Sequence, residues 1–390
     1  MANVVGKLSD NAKNFDAYII SSTFARAIVD VFIPVIMFKS GYSVHYCILY
    51  YLVMNLCSLF MAGPLAHIAK KFGNRILAVA SIVFFIILQF LLLELDGSLP
   101  ILYLISFVYA GYKRCYWISR RFYTLHIIHK HHVGKVYAII SILHQLSVMA
   151  ATYVGALLLD GLNQYILIAI SVFILLLSLI PLFRIDMKHE RNDSKINLRE
   201  TLSKIPPADM LHFGIYELWN VMKFLFPIYV AVYVRDSYQA IGVVAIVTDL
   251  AIIVFSYLFG KKLDSSNKDF LQLSIFLVIL TYAAKTTTSY SILLVVSFLE
   301  GFTTKMFEIS LNRDLHVLSK KFEYDNYNLA YELAEDFIRT LASLLIFVLP
   351  LDLRGDIFLV CALMLVGCFF KFKIPKIEEY DAESEALKDD

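Results

Sequence analysis

Apolar stretches of about twenty residues, separated by short turns, recur along the whole chain. A helix needs about 20 apolar residues to cross about 30 Å of hydrocarbon. Only helices and closed barrels satisfy their own backbone groups there. The stretches are continuous rather than alternating, so helices are indicated and a barrel is not. Composition agrees. Apolar residues make up 59% of the 390 residues and charged residues 17%, against roughly 45–50% and about 25% in ordinary globular proteins. Mean hydropathy is +0.68. One soluble fold cannot hide that much apolar surface. A soluble enzyme, a nucleic-acid binder, a secreted disulfide scaffold and a disordered regulator are excluded.

The pattern predicts twelve transmembrane helices in an all-α membrane protein. The first six are Phe15–Phe38, Val44–Ala66, Ile76–Leu95, Pro100–Leu125, Val136–Leu159 and Tyr165–Phe183. The second six are Met210–Val234, Ala240–Phe259, Phe270–Ala284, Tyr290–Leu311, Asn328–Val348 and Ile357–Phe372. Spans four and ten carry charges and are expected to score poorly on hydropathy alone. Most connections are short and rich in turn formers, as in Lys39-Ser-Gly41, Asp96-Gly-Ser98 and Asp160-Gly-Leu-Asn163. One is long and polar. It divides the chain into an N-terminal bundle (1–184), a linker (185–209), a C-terminal bundle (210–375) and an acidic tail (376–390).

Basic residues set the orientation. With the amino terminus cytoplasmic, the inner segments hold 23 of the 35 Lys and Arg residues. The outer turns hold four, Lys39, Arg235, Lys285 and Arg354, and the other eight lie within spans. Both termini are expected in the cytoplasm of a cell-membrane protein. The polar start of the chain lacks an apolar signal core, so no cleaved signal peptide is expected. Five cysteines in apolar runs show no metal-ligand spacing. His126, His129, His131 and His132 are read as an interfacial basic segment rather than a metal site.

An ionisable group deep in a bilayer costs at least about 2.5–3.5 kcal/mol, so it usually faces a bundle interior or a wet path. Arg26 and Asp30 lie on one face of span one, either as a structural ion pair or as cavity lining. Span four carries Lys113 and Arg114 deep inside, too deep for comfortable snorkelling, and Arg120 and Arg121 nearer its inner end, where they can snorkel. Lys113, Trp117 and Arg120 share a stripe. Lysine and arginine there suit a carboxylate or phosphate. His144 in span five is either a packing histidine or a proton exchanger. Carboxylates deep in a span are candidate proton carriers. With Asp30 and His144, the candidates are Asp249, Glu300, Glu335 and Asp336. Glu332 is expected at the interface. Lys305 with Glu308, and Asp336 with Arg339, are spaced as local pairs.

Six spans, a basic linker and six more spans resemble the major facilitator superfamily. The loop after span two, AGPLAHIAKKFGNRIL, is similar to that family's loop signature through Gly63, Leu65, Lys70, Lys71, Gly73 and Arg75, with His67 where the signature has an aspartate. The loop after span eight repeats the glycine-to-aspartate spacing with Gly260 and Asp264. Related loops after spans two and eight fit two parallel six-helix repeats. Glycine permits a tight turn at a helix end. Span five holds Gly155 and no proline, which argues against the proton-driven drug exporters of the family.

In that superfamily spans one, four, seven and ten line a central cavity. The resemblance therefore implies Arg26, Asp30, Lys113, Arg114, Trp117, Glu217, Asn220, Glu300 and Thr304 as solute-binding residues. The expectation is a monomeric secondary transporter without cofactor or metal. It would move a small anionic or zwitterionic solute through the lipid bilayer by alternating access, with protons as coupling ion and no nucleic acid as partner. An exporter of drugs or amphipathic lipids, a polytopic membrane enzyme and a non-transporting receptor are the alternatives. No GxxxxGK[ST] loop marks an ATPase.

Overall fold

A computed structural model of the chain describes residues 10–127, 133–185, 218, 220–264, 271–321, 324–349, 352–355 and 360. The linker, Glu217, the stretch 128–132 and nearly all of the twelfth span lie outside them, as do the side chains of Arg121 and of residues 124–141.

Span one is not continuous. A helix Asp10–Asp30 stops, Val31 and Phe32 turn, and a second helix Ile33–Lys39 completes the span. The cause is Pro34, which has no N–H to offer the carbonyl four residues back and sits instead in the first turn of the new helix, where no N–H is needed. Asp30 thus marks a helix end at mid-span. Span two is Val44–Phe72, started by Ser43 Oγ, which accepts from Tyr46 N–H at 3.3 Å. Spans three to six are Asn74–Leu93, Leu99–Ile127, Val133–Gly161 and Gln164–Arg184. Asn163 caps the sixth by accepting from Ile166 N–H at 3.0 Å. Span seven is described over Asn220–Val234, its last turn widened to a π-helix at Val230–Val234. Spans eight to eleven are Tyr238–Asp264, Leu271–Ala284, Tyr290–Lys321 and Tyr324–Val348.

Among the described residues, seven helices are long and apolar enough to cross a membrane, and two shorter apolar helices occupy spans seven and nine. Span four is too charged to count among the seven, and span ten is the least apolar of them, with a mean hydropathy of 1.2. The loop signature needs a correction. Gly63 and Pro64 lie inside the helix of span two, and a side chain at Gly63 would meet nothing within 4 Å. The turn is made ten residues later by Gly73, at φ +90°, a region that only glycine enters freely. Leu65 and His67 are likewise helical, Gly260 and Asp264 lie in the last turns of span eight, and Arg75 donates to the Ile185 carbonyl beyond span six. Gly41 and Gly97 turn the outer connections with positive φ. Beside Gly97, Ser98 donates to the exposed Asp96 carboxylate and holds it below the usual carboxylate range.

Span one packs between spans five and six, span four between two and three, and span ten between eight and nine. The first six spans meet the later ones mainly along two seams, span two against eleven and span five against eight. Lipid tails are as apolar as leucine, so close helix approach depends on small residues. A Cβ at Gly155 would lie 2.2 Å from the Ile28 carbonyl oxygen of span one. One at Gly301 would lie 2.2 Å from the Thr248 oxygen of span eight, and one at Gly242 would lie 2.8 Å from Ala156 Cβ across the five–eight seam.

At one end the turns interlock. Lys39 pairs with Asp236 at 2.7 Å. Asp160 accepts from Ser237 Oγ at 2.9 Å, Tyr238 N–H at 3.2 Å and Gln239 N–H at 2.8 Å, so a carboxylate from the last turn of span five caps span eight.

Replacing Gly155 by Ala should lower the melting temperature of the purified protein, since forcing a methyl into a filled contact costs about 1–3 kcal/mol. Gly63→Ala, facing open space within a helix, should leave it unchanged or raise it slightly. Equal melting of both variants would remove the close-approach role of Gly155.

Candidate functional site

Span eleven supplies Glu332, Glu335, Asp336 and Arg339 at i, i+3, i+4 and i+7, a spacing that puts all four on one helical face. That face meets span four. Lys113 Nζ stands 3.0 Å from Asp336 Oδ1 and 3.1 Å from Asn55 Oδ1 of span two. Arg114 reaches both Glu332 and Asp336, and holds Ser58 Oγ of span two at 2.8 Å. Arg339 closes the group, 3.1 Å from Asp336 and 3.5 Å from Glu335. Three cations and three anions balance. Asp336 has no exposed surface and Glu332 is 3% exposed. Glu332, expected at the interface from its place near a span end, is buried between helices against Arg114. The Asp336–Arg339 local pair forms, and two cations from span four join it.

A second group lies between spans eight, nine and ten. Glu300 pairs with Lys285 and accepts from Tyr282 Oη at 2.6 Å. Lys285 corrects another expectation. It follows the last helical turn of span nine, yet it is 3% exposed and its Nζ sits 3.5 Å over the Phe226 ring. A buried carboxylate within reach outweighs solvation of a flexible ammonium in the turn. Asp249 of span eight accepts from Gln145 Nε2 of span five at 2.6 Å, across the five–eight seam. Lys305 pairs with Glu308 at 3.0 Å.

A third group surrounds Arg26. Its guanidinium donates to Ser22 O, Thr23 Oγ1 and Tyr112 Oη, and lies 3.7 Å over the Tyr116 ring. Asp30 does not pair with it directly; it accepts from Tyr109 Oη at 3.3 Å. Tyr109, Tyr112 and Tyr116 form an aromatic stripe along span four. Arg120, rather than snorkelling, turns back to donate to Tyr116 Oη at 2.9 Å. His144 lies within electrostatic reach of Arg26, Arg120 and Lys305, and its Nε2 is buried without a hydrogen-bond partner.

The residues named from sequence thus fall into three neighbourhoods, not one. Lys113 and Arg114 join Glu335 and Asp336; Glu300 and Asp249 sit beside spans nine and five; Arg26, Asp30 and His144 stand near Trp117. Thr304 is buried with an unpartnered hydroxyl, and Asn220 lines span seven half-buried. Sequence reasoning missed Asn55, Ser58, Gln145, Tyr282 and the buried Lys285. For Asn55 and Ser58 a signal existed, two polar residues at i, i+3 within an apolar span. For Lys285 there was none.

An all-helical, multi-pass arrangement with ionised groups gathered between its helices is that of a membrane transporter. The chain matches the profile of the Major Facilitator Superfamily over residues 17–304. A solved structure of the nucleoside transporter NupG superposes with a TM-score of 0.69 at 11% sequence identity, covering 93% of this chain and 98% of that one. No curated protein matches the chain in sequence. The chain belongs to the major facilitator superfamily: it has that fold and is a secondary transporter of a small solute, not an enzyme.

Asp336→Asn leaves three buried cations facing two carboxylates. Removing one partner of a buried pair costs about 3–5 kcal/mol, whereas a half-exposed i, i+3 pair contributes about 0.2–1 kcal/mol. Melting temperatures in detergent should therefore fall in the order Asp336→Asn, then Glu332→Gln, with Glu308→Gln close to the parent. A parent-like Asp336→Asn protein would contradict the network.

Proposed function

We propose that the transported solute is a small organic anion or zwitterion and that protons drive its movement. Two bundles, residues 1–184 and 210–375, would rock about a central site, joined by the cytoplasmic linker 185–209. The acidic tail 376–390 and both termini face the cytoplasm of a cell membrane, and the working unit is a monomer. The basic-residue count supports this orientation.

The observation that carries the proton assignment is the bond between Gln145 and Asp249. Glu300, Glu332, Glu335 and Asp336 each hold a cation, so protonating any of them strands a buried positive charge. Asp249 takes its hydrogen bond from a neutral amide, with the Lys223 ammonium within electrostatic reach, so a proton there disturbs the local charge less than at the carboxylates that bond a cation directly. The same bond crosses the five–eight seam. A hydrogen bond to an ionised carboxylate is roughly twice as strong as a neutral one. Protonation therefore loosens the seam, and release tightens it. Asp30 also accepts from a neutral group, Tyr109, but lies within one half of the chain.

Asp249→Asn imitates the proton-loaded state. In proteoliposomes it should abolish uptake driven by a pH gradient while solute counterflow at equal pH persists. Gradient-driven uptake that survives this substitution would sink the assignment to Asp249. Parent uptake that ignores collapse of the gradient would remove proton coupling altogether.

A further inference from the structure

Of the three fully buried cations among the described residues, Arg114 and Lys285 hold carboxylates and Arg26 does not. Arg26 is 8% exposed and sits sixteen residues into the helix that begins at Asp10. Its hydrogen bonds run to neutral oxygens, those of Ser22, Thr23 and Tyr112, with the Tyr116 hydroxyl beside them, and Asp30 acts on it only from a distance. A guanidinium carries five N–H donors, so these do not exhaust it. A buried charge left this way is costly unless something else brings the counter-charge.

The surroundings show where that counter-charge would sit. Tyr116 ties Arg26 to Arg120, lying 3.7 Å beneath the first guanidinium and accepting from the second at 2.9 Å. Across from them, on span five, His144 Nε2 is buried with no partner. Arg26, Arg120 and Lys305, from spans one, four and ten, all act on that imidazole. Unspent guanidinium donors and an orphaned ring nitrogen meet in a region of positive potential. An oxyanion answers all of these at once, because its oxygens accept from a guanidinium fork in pairs. Trp117 lies 5.4 Å from Tyr116 and is 38% exposed. It shares its stripe with Lys113, which pairs with Asp336 of span eleven, and its exposed indole offers an aromatic surface to the rest of the solute.

We infer that Arg26, Arg120 and His144 form the anion-holding end of the solute site, taking a carboxylate or phosphate group whose apolar or aromatic body lies against Trp117. This rests on the transport reading above but moves the anion contact away from Lys113 and Arg114, whose charges are already met by Glu332 and Asp336. Loss of the bound anion would return the site to an arginine that no carboxylate bonds directly, so an occupied site is more stable than an empty one.

The test is thermal unfolding of the detergent-purified full chain with benzoate, phenyl phosphate, inorganic phosphate or neutral benzamide, at constant ionic strength. At least one anion should raise the melting temperature saturably, and benzamide should not. A larger effect of benzoate names a carboxylate, and of phenyl phosphate or phosphate a phosphate. Arg26→Gln and Arg120→Gln should each weaken the apparent affinity at least tenfold. If Arg26→Gln does not elute as a folded species, Arg120→Gln and the charge-keeping Arg26→Lys carry the comparison, since a lysine cannot offer the fork. The site is overturned if no anion gives a saturable shift, if benzamide matches the anions, or if the variants keep parent affinity. Counterflow of the labelled probe separates the two levels. Anion binding that needs Arg26 but brings no counterflow sinks the transport reading and leaves the site. Counterflow at the parent rate in Arg26→Gln does the reverse.

Discussion

Asp336 has no contact with solvent and lies deep in a helix that crosses a bilayer, where an isolated carboxylate could not remain ionised. It does so by collecting Lys113, Arg114 and Arg339. Two of these come from span four and one from its own helix. The consequence is mechanical. Spans two and four cannot leave span eleven without exposing three cations to hydrocarbon. That seam is fixed by charge in both directions, because any fragment of the network is worse than the whole.

The opposite seam is built differently. Spans five and eight meet through Gly242 against Ala156, through the Gln145–Asp249 bond and through Asp160 capping span eight at the end where the turns interlock. Small residues slide and part with little loss. A single hydrogen bond to a carboxylate can be reset by a proton. The same end adds Lys39 with Asp236 and the stacked His45 and Phe347 rings, 4.0 Å apart. In the proposed orientation this is the external face. On the proposed mechanism the two seams divide the labour, one holding the halves together and one able to change.

Much of the architecture was legible from period and composition, because hydrocarbon tolerates so few alternatives. Among the described residues the order of the spans, the glycine turns at Gly41 and Gly97 and the local pair of Lys305 with Glu308 all follow from spacing, though the helices of spans two and ten run six and ten residues past their expected ends. The break in span one was legible in principle at Pro34 but is hidden by its strongly apolar surroundings. The candidate site was legible only as a set of residues. Lys113 and Asp336 are 223 positions apart, and nothing local says which acid meets which base. Depth along a helix can be counted, but the direction a side chain faces depends on neighbours that the count does not contain. Lys285 shows this best: by position it belongs to a solvated turn, and only Glu300 across the bundle explains its burial.

Buried charges in this chain sort by who supplies the counter-ion. Lys113, Arg114, Lys285, Lys305 and Arg339 receive theirs from the protein, and such charges serve to position helices. A group that the fold has already neutralised gains little from a solute, which would first have to displace a tethered carboxylate. Arg26 is bonded by tyrosines instead, and Asp30 acts on it only from a distance. Asp249 is bonded by an amide in the same spirit, with Lys223 acting from a distance. Ions whose direct bonds run to neutral partners are stable enough to exist and unsatisfied enough to respond. In a transporter, those are the positions where a travelling charge, solute or proton, changes the energy of the protein most.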